Sequence, residues 1–155
     1  RTPPPDPHAR GAFIGLSLRH GLEHMARSVL EGVSFGLNDS LSLMRKLGID
    51  PSNVILTGGG TRSGLWKQML CDVFQADCSL VNAKEGAAYG AALLGAVGVG
   101  VFDSVESASD QWIAETERVT PGENTKDYQE LYSIYGSLYP TLRKTFHSLA
   151  EKVRE

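Results

Sequence analysis

The stretch from Val54 to Gly64, VILTGGGTRSG, constrains this chain more than any other. A short apolar run, which reads as a strand, breaks into three consecutive glycines and then enters LWKQMLCDVF, which reads as a helix. A strand feeding a glycine-rich turn that opens a helix lets backbone N–H groups approach a phosphate with no Cβ in the way, and the helix N-terminus adds a favourable field. After Gly60 come Thr61, Arg62, Ser63 and Gly64, so the spacing is neither that of a P-loop nor GxGxxG. The glycines alone leave two readings open. One is a nucleotide-handling turn; the other is a tight turn that needs positive φ or close packing and nothing more.

At 155 residues the chain fits one domain with a sizeable core. Its 15 lysines and arginines are scattered and its net charge is −3. No basic run interleaved with aromatics points to nucleic acid, so no nucleic-acid partner is expected. Cys71 and Cys78 are too few for a disulfide framework and read as small core residues in a reduced, cytoplasmic setting. The uncharged stretch 86–102, GAAYGAALLGAVGVGVF, is shorter than the ~20 residues of a membrane span and carries five glycines. It is expected to be a buried helix, with no membrane partner, whose small residues let a neighbouring backbone come close.

Along the chain, RTPPPDP holds four of the seven prolines and reads as an extended lead-in, followed by a strand-like AFIGLSL. With no initiator Met before it, this opening reads as a cut rather than a natural start. From His20 to Leu47 apolar residues step by three or four, which predicts one amphipathic helix ended by Gly48, with Pro51 turning the chain toward a strand at 54–57. A helix from Leu65 to Phe74, a strand from Cys78 to Val81 and the small-residue helix follow. That alternation predicts parallel strands with crossover helices. Residues 103–126 read as a polar, turn-rich connection. From Asp127 the apolar spacing predicts a docking helix bent at Pro140. The expected organisation is therefore a core over 1–102, a connection over 103–126 and a docking helix over 127–155.

Three separated segments resemble one family. In 11–31, Gly11, Phe13, Gly15, Leu16, His24, Met25, Ser28, Val29, Leu30 and Glu31 are similar to the second signature of the FGGY carbohydrate kinases. In 55–72, Gly58, Gly59, Gly60, Ser63, Trp66, Gln68 and Asp72 resemble that family's adenosine motif, and Glu85, Gly86, Gly90, Ala91 and Ala92 resemble its second connecting helix. The opening RTPPPDPHARG and the tail YQELYSIYGSLYPTLRKTF are most similar to the members that phosphorylate xylulose. The resemblance implies an α/β fold: an incomplete, ribonuclease H-like C-terminal domain of the actin-like ATPase superfamily. It also implies ATP with Mg²⁺, a sugar substrate, and a missing N-terminal domain of the same enzyme holding the catalytic base, the DxGT phosphate loop and strands of the sheet. No catalytic residue is then expected within this chain, and the exposed truncated edge is expected to favour a homo-oligomer.

The same resemblance implies a nucleotide site at Gly58, Gly59, Gly60, Ser63 and Gly64, the glycines admitting the α-phosphate or ribose and Ser63 placing a hydroxyl near the adenine. Ser63 as a plain helix cap is the structural alternative. Trp66 and Gln68 read as a packed face and a solvated amide, Asp72 as a surface charge, and Glu85 as either a cleft residue or a first-turn acid. His20 and His24 in HGLEH stand four apart on one helical face, a spacing that permits metal, yet no motif offers a third ligand. No metal site is expected there. Arg27 and Glu31, also four apart, read as a surface ion pair. A rival class of function is a non-catalytic actin-like ATP-binding module, and within the kinases gluconate, ribulose or glycerol are rival substrates.

Overall fold

A computed structural model describes residues 5–83 and 86–153 of the chain. The chain divides into two compact units, Pro51–Gly122 and the pair of segments Arg1–Asp50 and Glu123–Glu155.

The Pro51–Gly122 unit is built on a three-stranded sheet in the order β1 (Asn53–Leu56), β2 (Asp77–Val81), β3 (Glu115–Val119). β1 and β2 are parallel, with Val54 opposite Cys78 and Leu56 opposite Leu80. A parallel pair needs a crossover, and helix α2 (Gly64–Phe74) supplies it. Its inner face buries Met69, Leu70, Val73 and Phe74, while Cys71 and Cys78 are fully enclosed between helix and sheet. Burial pushes the Cys71 thiol up and the Cys78 thiol up to about 12, so both behave as small apolar residues. β3 pairs antiparallel with β2, Cys78 facing Val119, so the sheet is mixed where parallel strands alone were expected.

That third strand comes from the stretch expected to be connection. Residues 103–126 hold helix α4 (Val105–Trp112) as well as β3. Ser104 caps α4 by accepting from Ser107 N at 3.1 Å. The strand escaped notice because ETERV is polar and exposed at four of its five positions, so it shows no apolar alternation. It is held instead by its ladder and by Asn82, whose side chain bonds Trp112 O at 2.8 Å and Ala114 N at 3.1 Å.

The small-residue helix α3 (Gly86–Gly98) is shorter and more exposed than expected. It stops because Gly100 turns left-handed (φ +76), with Val101 N bonding Ala96 O and Gly100 N bonding Val97 O. Only Leu93 on it is buried, and Leu94 is 59% exposed. Lack of charge marks a helix that can be covered; the residues against it decide whether it is.

In the other unit, helix α1 (Leu22–Lys46) lies against helix α5 (Thr125–Lys152). α1 ends as the sequence reads: Gly48 takes φ +83, Ile49 N bonds Met44 O and Gly48 N bonds Arg45 O, both at 3.0 Å. Phe35 is buried against Tyr128, Tyr132 and Tyr135, with ring centroids 6.2, 5.8 and 5.3 Å away. The tyrosine hydroxyls reach polar partners at the edge: Tyr132 donates to Asp39 Oδ1 at 2.7 Å, and Arg27 bonds both Tyr128 and Glu31 at 2.9 Å. Arg27 and Glu31 thus form more than a surface pair. α5 runs continuously through Pro140.

The end of the lead-in, whose first four residues lie outside the described ones, is tied down by one carboxylate. Asp6, its side chain 7% exposed, accepts from Tyr139 Oη at 2.7 Å, His147 Nε2 at 2.8 Å and His8 N at 2.8 Å. The Tyr139 hydroxyl foremost, then His147 and the His8 amide, hold that carboxyl well below its ordinary range. Residues 12–18, expected as a strand, form none. Gly15 takes φ +82, and a turn closes directly afterwards, with His20 N on Ser17 O at 3.0 Å. A strand exists only with a ladder partner, and none of the described residues supplies one here. The segment instead lines, with α1 and α5, an apolar groove of about 1130 Å³ containing Phe13, Leu16, Val29, Leu138 and Leu142.

Candidate nucleotide site

Because β1 and β2 are parallel, the turns after Leu56 and after Val81 leave the sheet at the same end, where ligands bind in open α/β sheets. The start of α3 lies beside the first of these turns: a Cβ on Gly86 would stand 3.7 Å from Thr57 Oγ1. Between Thr57 and α2 the chain makes a single 3₁₀ turn, Gly59–Arg62. Thr61 closes it onto Gly58 O twice, through its amide at 3.2 Å and its hydroxyl at 2.7 Å. Sequence reasoning passed over Thr61, although a hydroxyl three residues after a glycine is a common turn brace.

The predicted glycines occupy this turn for different reasons. Gly58 has φ +91 and ψ −178, a conformation essentially closed to other residues. Gly60 is required by crowding, since an added Cβ would fall 2.5 Å from Trp66 Cζ3 and 2.8 Å from Cε3. Trp66 is therefore the indole that roofs the turn. At Gly59 and Gly64 an added Cβ meets nothing within 4 Å. Neither position needs glycine for the turn to form, and both leave open backbone. The N–H groups of Gly59 and Gly60 open the 3₁₀ turn and have no acceptor inside it.

Ser63 is the N-cap of α2: its Oγ accepts from Trp66 N at 3.2 Å while Ser63 O accepts from Lys67 N at 3.0 Å. A capping hydroxyl used as acceptor keeps its own proton to donate. Lys67, one turn further and 13% exposed, is committed to Glu117, with its Nζ 2.5 Å from Oε1 and 2.6 Å from Oε2. Arg118 is likewise engaged, bonding Glu115 through Nε and Nη2 at 2.9 Å, with Asp77 3.6 Å away. Arg118 first and the Ser79 hydroxyl second hold the Glu115 carboxyl down to about 2.

Gln68 and Asp72 do not join the turn. Asp72, expected on the surface, is 1% exposed. Its Oδ1 accepts from Gln68 Nε2 at 2.9 Å and Gly122 N at 2.6 Å, and Gln68 Nε2 also reaches Thr120 O at 3.0 Å. Thr120 follows Val119, which faces Cys78 near the start of β2, so this pair fastens the opposite end of the sheet. α2 carries this carboxylate inward, where one backbone N–H and the Gln68 amide meet Oδ1 and Oδ2 is buried without a hydrogen-bond partner among the described residues. Glu85 lies outside the described residues.

His20 and His24 both turn inward to their own chain. His20 Nδ1 accepts from Ser17 N at 2.8 Å and His24 Nδ1 from Gly21 N at 3.1 Å, the rings meeting edge-on at 5.3 Å. Among the described residues no three His, Cys, Asp or Glu side chains are grouped to hold a metal ion. No helix among the described residues is long and apolar enough to cross a membrane.

Comparison with known proteins bears on this arrangement. Residues 1–99 match the family model for the C-terminal domain of the FGGY family of carbohydrate kinases. A xylulose kinase of Staphylococcus xylosus is 36% identical over 140 residues, covering 90% of this chain and 29% of the relative. A gluconokinase of Bacillus subtilis is 35% identical over 156 residues, covering 99% of this chain and 30% of the relative. Among solved structures, the xylulose kinase of Rhodospirillum rubrum superposes with a TM-score of 0.78 at 33% identity, over 92% of this chain and 29% of that one. The chain spans less than a third of the length of these relatives.

Proposed function

This chain belongs to the FGGY family of carbohydrate kinases, with the partial ribonuclease H-like, actin-like ATPase fold of its C-terminal domain, and we propose that it is the ATP-binding side of an enzyme phosphorylating D-xylulose to D-xylulose 5-phosphate. The observation that carries the reading is the turn at Gly58–Gly64, where Gly59 and Gly64 are glycine without any demand from the fold itself. An open backbone at the C-terminal end of parallel strands, on a helix N-terminus, suits the ribose and α-phosphate of a nucleotide. Gly58 shapes the turn, Gly60 admits the Trp66 roof, and Ser63 offers its proton toward the base.

Phosphoryl transfer asks a protein mainly for positioning and electrostatic stabilisation. In this reading the chain orients ATP and excludes water along one side of it. Mg²⁺ arrives on the phosphates, and the base that takes the sugar hydroxyl's proton belongs to an N-terminal domain outside this chain. That domain is its first partner. Self-association through exposed apolar residues such as Phe13, 49% exposed, and Ile14, 56% exposed, is the second. A reduced, cytoplasmic location accords with two buried free thiols.

A second reading keeps the chemistry and changes the sugar, favoured by the gluconokinase relative that aligns over 99% of this chain. The deciding experiment is a substrate panel on the full-length enzyme containing this chain. Turnover of D-xylulose well above gluconate, ribulose and glycerol is expected; a preference for gluconate overturns the sugar assignment, and no ATP consumption with any sugar favours a non-catalytic ATP-binding module. Light scattering of the isolated chain tests self-association, which a strictly monomeric solution at high concentration would rule out.

A further inference from the structure

Arg62 closes the 3₁₀ turn between Gly59 and the Ser63 cap, and its side chain is exposed. Every other described basic residue of the Pro51–Gly122 unit is already engaged: Lys67 by Glu117, and Arg118 by Glu115 and Asp77. The Arg62 guanidinium makes no hydrogen bond or ion pair with any described residue. A guanidinium left unpaired three residues after the open backbone of Gly59, in a unit whose other described cations are neutralised, is poised for an anion brought from outside.

We propose that Arg62 binds the polyphosphate of the nucleotide, supplying the positive charge that a P-loop lysine supplies elsewhere. The inference rests on the nucleotide reading of the glycine turn. Three features support it together. The turn presents backbone N–H groups, which select an anion by geometry; the N-terminus of the eleven-residue α2 points the same way in field. Arg62 adds a mobile fork that can take two phosphate oxygens at once. Lys67, by contrast, is held by two carboxylate contacts and is not available without breaking them. Selectivity follows: phosphorylated nucleosides gain from Arg62 in proportion to their charge, and the bare nucleoside does not.

The test is calorimetric titration of the full-length enzyme containing this chain, and of its Arg62→Gln and Arg62→Lys variants, with adenosine, ADP and ATP at low and moderate salt. Arg62→Gln should weaken ADP and ATP roughly tenfold or more while leaving adenosine unchanged, Arg62→Lys should recover part of the loss, and the difference should shrink as salt rises. Equal weakening of all three ligands would mean that Arg62 stacks on the base, and unchanged ADP affinity would mean that it faces solvent; either overturns the proposal. If the unmodified enzyme binds ADP and ATP but Gly59→Val leaves that binding unchanged, the nucleotide lies away from the glycine turn and the role of Arg62 falls with it.

Discussion

The glycine turn and the Asp6 clasp are both small polar devices, but they are assembled in opposite ways. The turn is made of consecutive residues, Gly58 to Gly64, whose conformations and caps are set by neighbours within three or four positions. The clasp joins Asp6 to Tyr139 and His147, 133 and 141 residues away in sequence. The core beneath the tyrosines is similar in kind: Phe35 meets rings about a hundred positions later. Local geometry can be read from spacing, whereas a carboxylate buried by distant donors carries no local mark.

The largest expected effect lies on the long-range side. Phe35→Ala removes a buried ring packed on three tyrosines and should cost about 3–4 kcal/mol in urea unfolding. A loss below about 1 kcal/mol would mean that the α1 to α5 packing contributes little.

The next comparison is inside the turn. Gly60→Ala drives a Cβ into Trp66 and should cost about 1–3 kcal/mol, while Gly59→Ala, which meets nothing, should leave stability within about 0.5 kcal/mol. In the full-length enzyme a bulkier Gly59→Val should raise the KM for ATP and leave that for sugar nearly unchanged. If both KM values rise together, the turn is structural and the nucleotide belongs elsewhere.

Ser63→Ala separates cap from ligand contact. Loss of the cap should lower stability by about 1 kcal/mol, and Ser63→Gly by only a few tenths. If the hydroxyl also addresses the base, both variants should weaken adenosine equally, despite their unequal stabilities.

The smallest effect is confined to acid. Asp6 and Glu115 both have folded-state carboxyls below their ordinary values. The stability each adds is therefore present above the unfolded carboxyl pKa near 4 and is lost as pH falls through the lower folded value, which for Glu115 is about 2. Acid titrations of Asp6→Asn and Glu115→Gln should flatten below about pH 4 relative to the parent chain. An unchanged acid limb in either variant would show that its carboxylate is solvated rather than held.

Much of the chain was legible in advance because its signals are periodic or stereochemical. The apolar steps of α1, the Gly48 stop, the glycine turn and the alternation of β1, α2 and β2 all follow from constraints acting within one or two turns of chain. So did the family resemblance, since its motifs are runs of neighbouring residues. The errors share a cause. AFIGLSL looks like a strand, yet a ladder needs a partner that local sequence cannot name. ETERV looks like a loop, yet the β2 edge recruits it. Asp72 reads as a surface charge, yet it is buried with its Oδ1 on Gly122 N, fifty residues further on.

The sequence by itself determined where the backbone must turn, which stretches wind into helices, and that three glycines open α2. Those are decided by Ramachandran sterics and by short-range caps. Tertiary structure alone decided that Lys67 is spent on Glu117 while Arg62 is not, and that Asp6 is enclosed. Burial and pairing depend on which atoms arrive from elsewhere in the chain, and the energy of a polar group turns on those arrivals rather than on its neighbours in sequence.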